Sequence, residues 1–197
     1  MRIAVLLLVV TLAACSGDAP TGPDQADGPT RSAPANAADP PVPITGSGAY
    51  TFTHAGAAGT VTVPTSTTDT RIAEYEEYRK LADAIGVTYV ASDIDNRNGA
   101  ETITMYRVVV ITDDGRQIEA PNIGVRLATW RDAFSSSGSG NVQAYDRGVE
   151  LEHALQPLPP GTSGTLINAA AQLVPSVARV FVYPTGGLDR VEAVKSS

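Results

Sequence analysis

One cysteine, Cys15, stands in 197 residues, so no intramolecular disulfide can form and no cysteine-rich metal centre can be assembled. Histidine is nearly as scarce. His54 and His153 fall in separate segments without His-Glu-x-x-His or comparable spacing, so a zinc site built from histidine and cysteine is not expected. Lysine occurs only at Lys80 and Lys195, and the 14 basic residues face 21 acidic ones for a net charge of -7. The basic residues are few and scattered, which argues against nucleic acid as a partner. Gly138-Ser139-Gly140 and Thr162-Ser163-Gly164 lack the form of a nucleophile elbow, and no glycine-rich phosphate loop precedes a helix. No catalytic residue, metal ligand or cofactor is therefore assigned.

What the chain does have begins at its amino terminus. Met1-Arg2 is a positive start and Ile3 to Leu12 an apolar run, at about ten residues too short to span a bilayer but suited to a signal-peptide core. Leu12-Ala13-Ala14-Cys15 resembles the lipobox of bacterial lipoproteins. The resemblance implies that residues 1–14 are a signal peptide and that the Cys15 thiol carries a diacylglyceryl group as the new amino terminus. Loss of residues 1–14 would remove Arg2 and take the formal charge from -7 to -8. Such an acidic body is not drawn to anionic headgroups, so acyl chains, at about 0.8 kcal/mol per buried methylene, would have to hold it at the membrane.

Residues 15–46 read as the lipidated cysteine and a disordered Pro/Ala-rich stalk. Half of the fourteen prolines lie between Pro20 and Pro43, and a stretch with so little apolar surface cannot offset its ordering entropy. Fully extended, the stalk would reach roughly 90 Å at about 3.1 Å per residue.

Residues 47–197 read as one mainly β domain. Ala49–His54 and Thr60–Val63 alternate around a Gly- and Ala-rich turn and suggest a first hairpin or two edge strands. Asp69-Thr70 followed by Arg71–Ile85 predicts a helix: Ile72, Tyr75, Tyr78, Leu81, Ala82 and Ile85 recur at helical spacing, and Gly86 offers a C-cap. Glu74, Glu76, Glu77, Arg79 and Lys80 then fall mainly on its solvated face, as a charged surface rather than an acid–base pair or metal site. Val87–Ile94 and Thr102–Thr112, rich in β-branched and aromatic residues, predict a central hairpin across Asp95–Ala100, extended by Asp113-Asp114-Gly115 into a meander. Ile123–Arg131 reads as a strand or short helix and Ser135–Gly140 as a mobile loop. Val149, Leu151, His153 and Leu155 alternate with Glu150, Glu152, Ala154 and Gln156 and predict a half-buried strand. Gly164–Ala170, Val177–Tyr183 and Leu188–Val194 complete some eight or nine strands.

Three pieces resemble the telokin-like, immunoglobulin-like domains of bacterial secreted proteins and lipoproteins, among them a mycobacterial immunogenic secreted family. They are Tyr89–Asn96 running into a glycine-containing turn, the strand–Asp-Asp-Gly–strand unit at Tyr106–Ile118, and Leu158-Pro159-Pro160-Gly161 before a strand and Pro175. The resemblance spans about residues 87–194 and implies an immunoglobulin-like antiparallel β-sandwich, here with one short α-helix, acting as a binding module without catalytic residues.

Two places invite a site. Asp93, Asp95, Asn96, Asn98 and Glu101 could gather oxygen ligands for calcium, but the EF-hand order fails and a turn capped by its own Asx side chains is preferred. Arg126, Trp130, Arg131, Phe134, Tyr145 and Arg147 combine the residue types of binding hot spots and form the candidate binding surface; alternatively Trp130 is a core aromatic. The expectation is a lipid-anchored cell-envelope binding module, held to the membrane through Cys15 and meeting a protein or cell-wall partner. It would face away from the cytoplasm, on the outer membrane of a diderm cell or the plasma membrane of a monoderm one. The alternative is a small-molecule or lipid carrier holding its ligand between sheets.

Overall fold

The computed structural model of the chain describes residues 44–135 and 141–197. The expected signal peptide, the lipobox-like stretch with Cys15, the expected stalk as far as residue 43 and residues 136–140 of the expected loop lie outside the described residues. Within them run β1 (Gly48–His54), β2 (Ala57–Thr65), α1 (Ala73–Leu81), β3 (Thr88–Asn96), β4 (Arg107–Ile111), β5 (Gln117–Pro121), α2 (Gly124–Ser135), α3 (Val142–Ala154), β6 (Thr162–Ala170), β7 (Arg179–Tyr183) and β8 (Val191–Lys195).

The mainly β, antiparallel expectation holds, but the layering differs. All eight strands join one sheet in the order β5-β4-β7-β8-β1-β2-β3-β6. Its two edges then approach one another: Asn122 bridges Asn168, and the Ile123 amide donates to the Ile167 carbonyl at 3.0 Å. The Asn168 side chain, fully buried, donates to the carbonyls of Met105 (2.9 Å) and Ala120 (3.2 Å) across this seam. A curled, nearly closed barrel thus replaces the expected sandwich of two facing sheets, and side-chain amides cover backbone acceptors that a full ladder would otherwise satisfy.

The β1–β2 hairpin and the β4–β5 hairpin across Asp113-Asp114-Gly115 form as the alternation predicts. The central hairpin does not. β3 pairs with β2 and β6, while β4 pairs with β5 and β7, so both flanks of each are taken by others. The residues between them cross the end of the barrel. Ile103 bridges Leu158 and Met105 adopts a positive φ of 46°, which breaks the expected strand Thr102–Thr112 down to Arg107–Ile111. Ile103 and Met105 still end up fully buried; their apolar character marked burial, and only the strand assignment was wrong.

Three α-helices stand where one was expected. The first begins later and ends earlier than predicted: Asp69 caps a 3-10 turn at Thr70–Ile72 by accepting from the Arg71 amide at 2.9 Å, and α1 ends at Leu81. Asp83, at φ 50°, turns the chain there, and the Arg79 guanidinium binds the Ala84 carbonyl. Leu81 and Ile85 are consequently exposed rather than core. In α2, Leu127 and Trp130 are buried, following Ile123, and Phe134 is half-buried; these positions share one helical stripe, which settles the open choice between strand and helix. Of the predicted strand over Val149–Gln156, residues as far as Ala154 form the second half of α3, and Leu155 is its C-cap. The apparent alternation is accidental, for the buried positions Ala144, Gly148 and Leu151 recur at helical spacing. Asn141 caps this helix by accepting from the Ala144 amide.

Two apolar clusters result. Inside the barrel lie Tyr50, Phe52, Val61, Val63, Val90, Ile94, Ile103, Met105, Val108, Val110, Ile118, Leu166, Val180 and Val182, among others. On the outer face of β3 and β6, helices α1–α3 pack Ile72, Tyr78, Leu127, Trp130 and Leu151 against Tyr89, Ala91, Ile167 and Ala169. Strands β3 and β6 are therefore covered on both faces, their successive residues serving opposite clusters.

Candidate functional site

The helical layer carries the six residues singled out above, and most of their functional groups are engaged within it. Trp130 is buried among the helices, the core-aromatic alternative. Phe134 packs on Tyr78 with ring centroids 5.8 Å apart. Arg131 reaches Glu152 at 2.6 Å and lies 5.5 Å over the Tyr145 ring. The Arg126 Nε donates to the Ala169 carbonyl at 3.3 Å. Arg147, the exposed member, spans Glu74 at 2.7 Å and Glu150 at 3.2 Å, tying α3 to α1. Gly148 is what lets α3 come so close: a Cβ there would meet the Tyr78 hydroxyl at 2.2 Å, which donates to the Ala144 carbonyl.

Glu76, expected on the solvated face of the helix, is buried instead. Both of its oxygens accept from Arg79 at 2.8 Å, and the Tyr89 hydroxyl donates to it at 3.1 Å. The Arg79 hydrogen bonds hold this carboxyl below the usual glutamate range despite its burial, while burial, reinforced by the Glu76 charge, pushes the Tyr89 phenol upward. This is a structural ion pair under the helices.

The acidic end of β3 and the turn that follows do not gather their carboxylates. Asp93 accepts from Arg71 at 2.5 Å and from Thr165 at 2.6 Å. Asp95 caps its own turn through the Arg97 amide at 3.1 Å, and the Arg97 side chain holds its pKa down to about 2. Asn96 is buried and donates to the carbonyls of Glu101 (2.9 Å) and Leu158 (2.8 Å). The Asx-capped turn is what forms.

Glu101 faces another way. The amide of Ala100 donates to the Ala55 carbonyl at 2.8 Å, fixing this loop against the β1–β2 turn, and His54 Nε2 lies 3.3 Å from Glu101 Oε2. Asp189, from the β7–β8 loop, completes a group whose ligand atoms all lie within 4.8 Å of one another. Sequence spacing held no sign of it, since positions 54, 101 and 189 meet only because β1 pairs with β8 and the loop before β4 folds onto the β1–β2 turn. By the strand register, this rim is opposite the one where Thr45 bridges Ser176 and the described chain enters the fold.

A second surface was also invisible to the sequence. On the outward face of β4, β7 and β8 the Arg107 guanidinium lies 4.2 Å over the Tyr183 ring, and Arg179 and Arg190 each lie 4.8 Å from Phe181. Register creates the first stack, Arg107 pairing with Tyr183 across β4 and β7, while Arg179 stands two residues before Phe181 on the same face of β7 and Arg190 arrives from the residue before β8. Glu119 and Glu192 orient Arg107 and Arg179 at 3.3 and 2.7 Å. The helices pack on β3 and β6, so guanidinium groups, not helices, cover these rings. Tyr106 and Leu188, both exposed, lie at the rim of the same face.

Concavities are shallow. One of about 560 Å³ lies over β1, β2, β3 and β6, lined by Thr51, Thr53, Thr60, Asp93 and Thr165. Another of about 390 Å³ lies between the end of α3 and β6, lined by Tyr75, Asn122, Leu155, Leu158 and Ile167. No protein-family model matches the chain, and neither a curated protein nor a solved structure does.

Proposed function

We propose that the chain is a lipid-anchored cell-envelope binding module, tethered through Cys15 and presenting its β-barrel-like body on a stalk to a protein or cell-wall partner, without catalysis of its own. The observation that carries this reading is the sequence Leu12-Ala13-Ala14-Cys15 directly after an apolar core, followed by a proline-rich stretch of about thirty residues before the first strand. The arginine–aromatic face of β4, β7 and β8 supports it as the contact surface, because arginine and aromatic side chains are the types that dominate interface energetics. The helical-layer residues are a weaker choice, since Trp130, Phe134 and Arg131 are committed to internal packing and pairing. The packed interior favours a surface binder over a carrier: Val61, Val63, Ile103, Met105, Val108 and Val110 have next to no exposed surface and fill the space a ligand would need.

Capture from envelope extract on the immobilised full chain tests this directly. An enriched partner lost with Arg107→Ala plus Arg179→Ala is the expected result. Retention of that partner would move the surface elsewhere, and turnover of a substrate in an activity screen would overturn the non-catalytic reading. Tethering is checked separately, by whether Cys15→Ser releases the protein from the membrane fraction.

A further inference from the structure

We infer that His54, Glu101 and Asp189 form a binding site for one divalent transition-metal ion, zinc by the character of its donors. Three chain segments bring one imidazole and two carboxylates together within 4.8 Å. Zinc bonds of about 2.0–2.2 Å to nitrogen and oxygen set a tetrahedral edge of about 3.4 Å between neighbouring donors. The His54–Glu101 separation of 3.3 Å matches that edge. Asp189 sits in the exposed β7–β8 loop, and no donor pair has more than about 1.4 Å to close to reach tetrahedral spacing.

The surroundings support ligation over simple ion pairing. Many carboxylates of this chain, Asp69, Asp93, Asp95, Asp114, Glu119, Glu152 and Glu192 among them, meet an arginine, and the described carboxylates that meet none, such as Glu77 and Asp146, belong to no cluster with a histidine. Glu101 and Asp189 have no arginine or lysine partner among the described residues, although they converge on one another. A divalent cation balances their two charges with the imidazole neutral. Both donors are also positioned from behind. Buried Asn96 holds the Glu101 main-chain carbonyl, and the Thr185 hydroxyl donates to Asp189 Oδ2 at 3.0 Å, while Thr104 binds the Thr185 carbonyl at 2.7 Å and secures that loop. His54 is mostly shielded, its side chain 14% exposed, whereas Glu101 is 53% exposed. An ion held there keeps an open coordination position toward solvent. The imidazole nitrogen selects against calcium and magnesium, which take oxygen ligands.

The test is calorimetric titration of the full chain with zinc chloride, carried out on Cys15→Ser so that the thiol does not compete. One equivalent should bind, with affinity lowered at least tenfold by His54→Gln and by Asp189→Asn and unchanged by His153→Gln. Zinc should raise the melting temperature of the parent and not that of Asp189→Asn, an exposed-loop change that leaves folding intact. Absence of binding at millimolar zinc, binding indifferent to both substitutions, or calcium bound as tightly as zinc would each overturn the assignment.

Discussion

The two apolar clusters share β3 and β6 yet are built differently. The barrel interior is mostly aliphatic, with Tyr50 and Phe52 beside the valines and isoleucines, most of its positions follow strand alternation, and its buried polar groups are few: the Tyr50 hydroxyl on the Gly46 carbonyl and the Asn96 and Asn168 amides on nearby carbonyls. The helical layer instead buries aromatic side chains with polar ends, Tyr78, Tyr89 and Trp130, and beneath them the ion pair of Glu76 with Arg79. A cluster of aliphatics tolerates small shifts because dispersion is non-directional. One that depends on buried hydroxyls and a carboxylate needs each partner in place, since an orphaned buried polar group costs more than the bond it lost contributed.

The sharpest test of this contrast compares Trp130→Ala with Ile103→Ala. The former should cost about 3–5 kcal/mol and the latter about 2–5 kcal/mol, read from denaturant midpoints. Hydrogen exchange should show α1–α3 losing protection in Trp130→Ala while amides of β4, β7 and β8 keep theirs; uniform loss would mean that the two clusters fold as one. A smaller effect is expected at Glu76→Gln, about 1–3 kcal/mol at neutral pH from its hydrogen bonds to a charged partner. The carboxyl's folded-state pKa lies below its unfolded value, near 4.3, so its contribution is complete well above that pH and fades as pH falls through the folded value. Melting temperature against pH should therefore drop more steeply on the acid side in the parent than in Glu76→Gln; parallel curves would remove the ion pair from the account. Least of all, Arg147→Ala should change stability by under about 1 kcal/mol, because its pairs with Glu74 and Glu150 are exposed to solvent.

Much of the β content was legible. Alternation placed β1, β2, β6, β7 and β8 nearly where they lie, and the Asp-Asp-Gly turn announced β4 and β5. Where reading failed, competing partners decided. Val87–Ile94 and Thr102–Thr112 look like a hairpin because local pattern cannot say which edge a strand will offer; β3 gives both edges to β2 and β6. The alternation at Val149–Leu155 was outweighed by Ala144, Gly148 and Leu151, whose helical spacing, with the smallness of the first two, mattered only once Tyr78 was there to be seated. Glu76 looked solvated because helical geometry around α1 does not reveal that Tyr89 stands behind it. Of the candidate sites, residue type found Trp130 and its neighbours but not their engagement. The groups at His54–Glu101–Asp189 and Arg107–Tyr183 went unseen, being separated by tens of residues.

By itself the sequence determined an apolar run near Met1 with a single cysteine after it, a proline-rich stretch, an acidic balance and a β-rich body, since composition and short periodicities need only neighbours along the chain. Tertiary structure alone decided that the strands curl into one nearly closed sheet and that helices cover only part of its outside. It also decided that an imidazole and two carboxylates from three segments share a rim. Strand partnership is a contest among all edges at once, settled by which pairing buries the most apolar surface while satisfying the backbone.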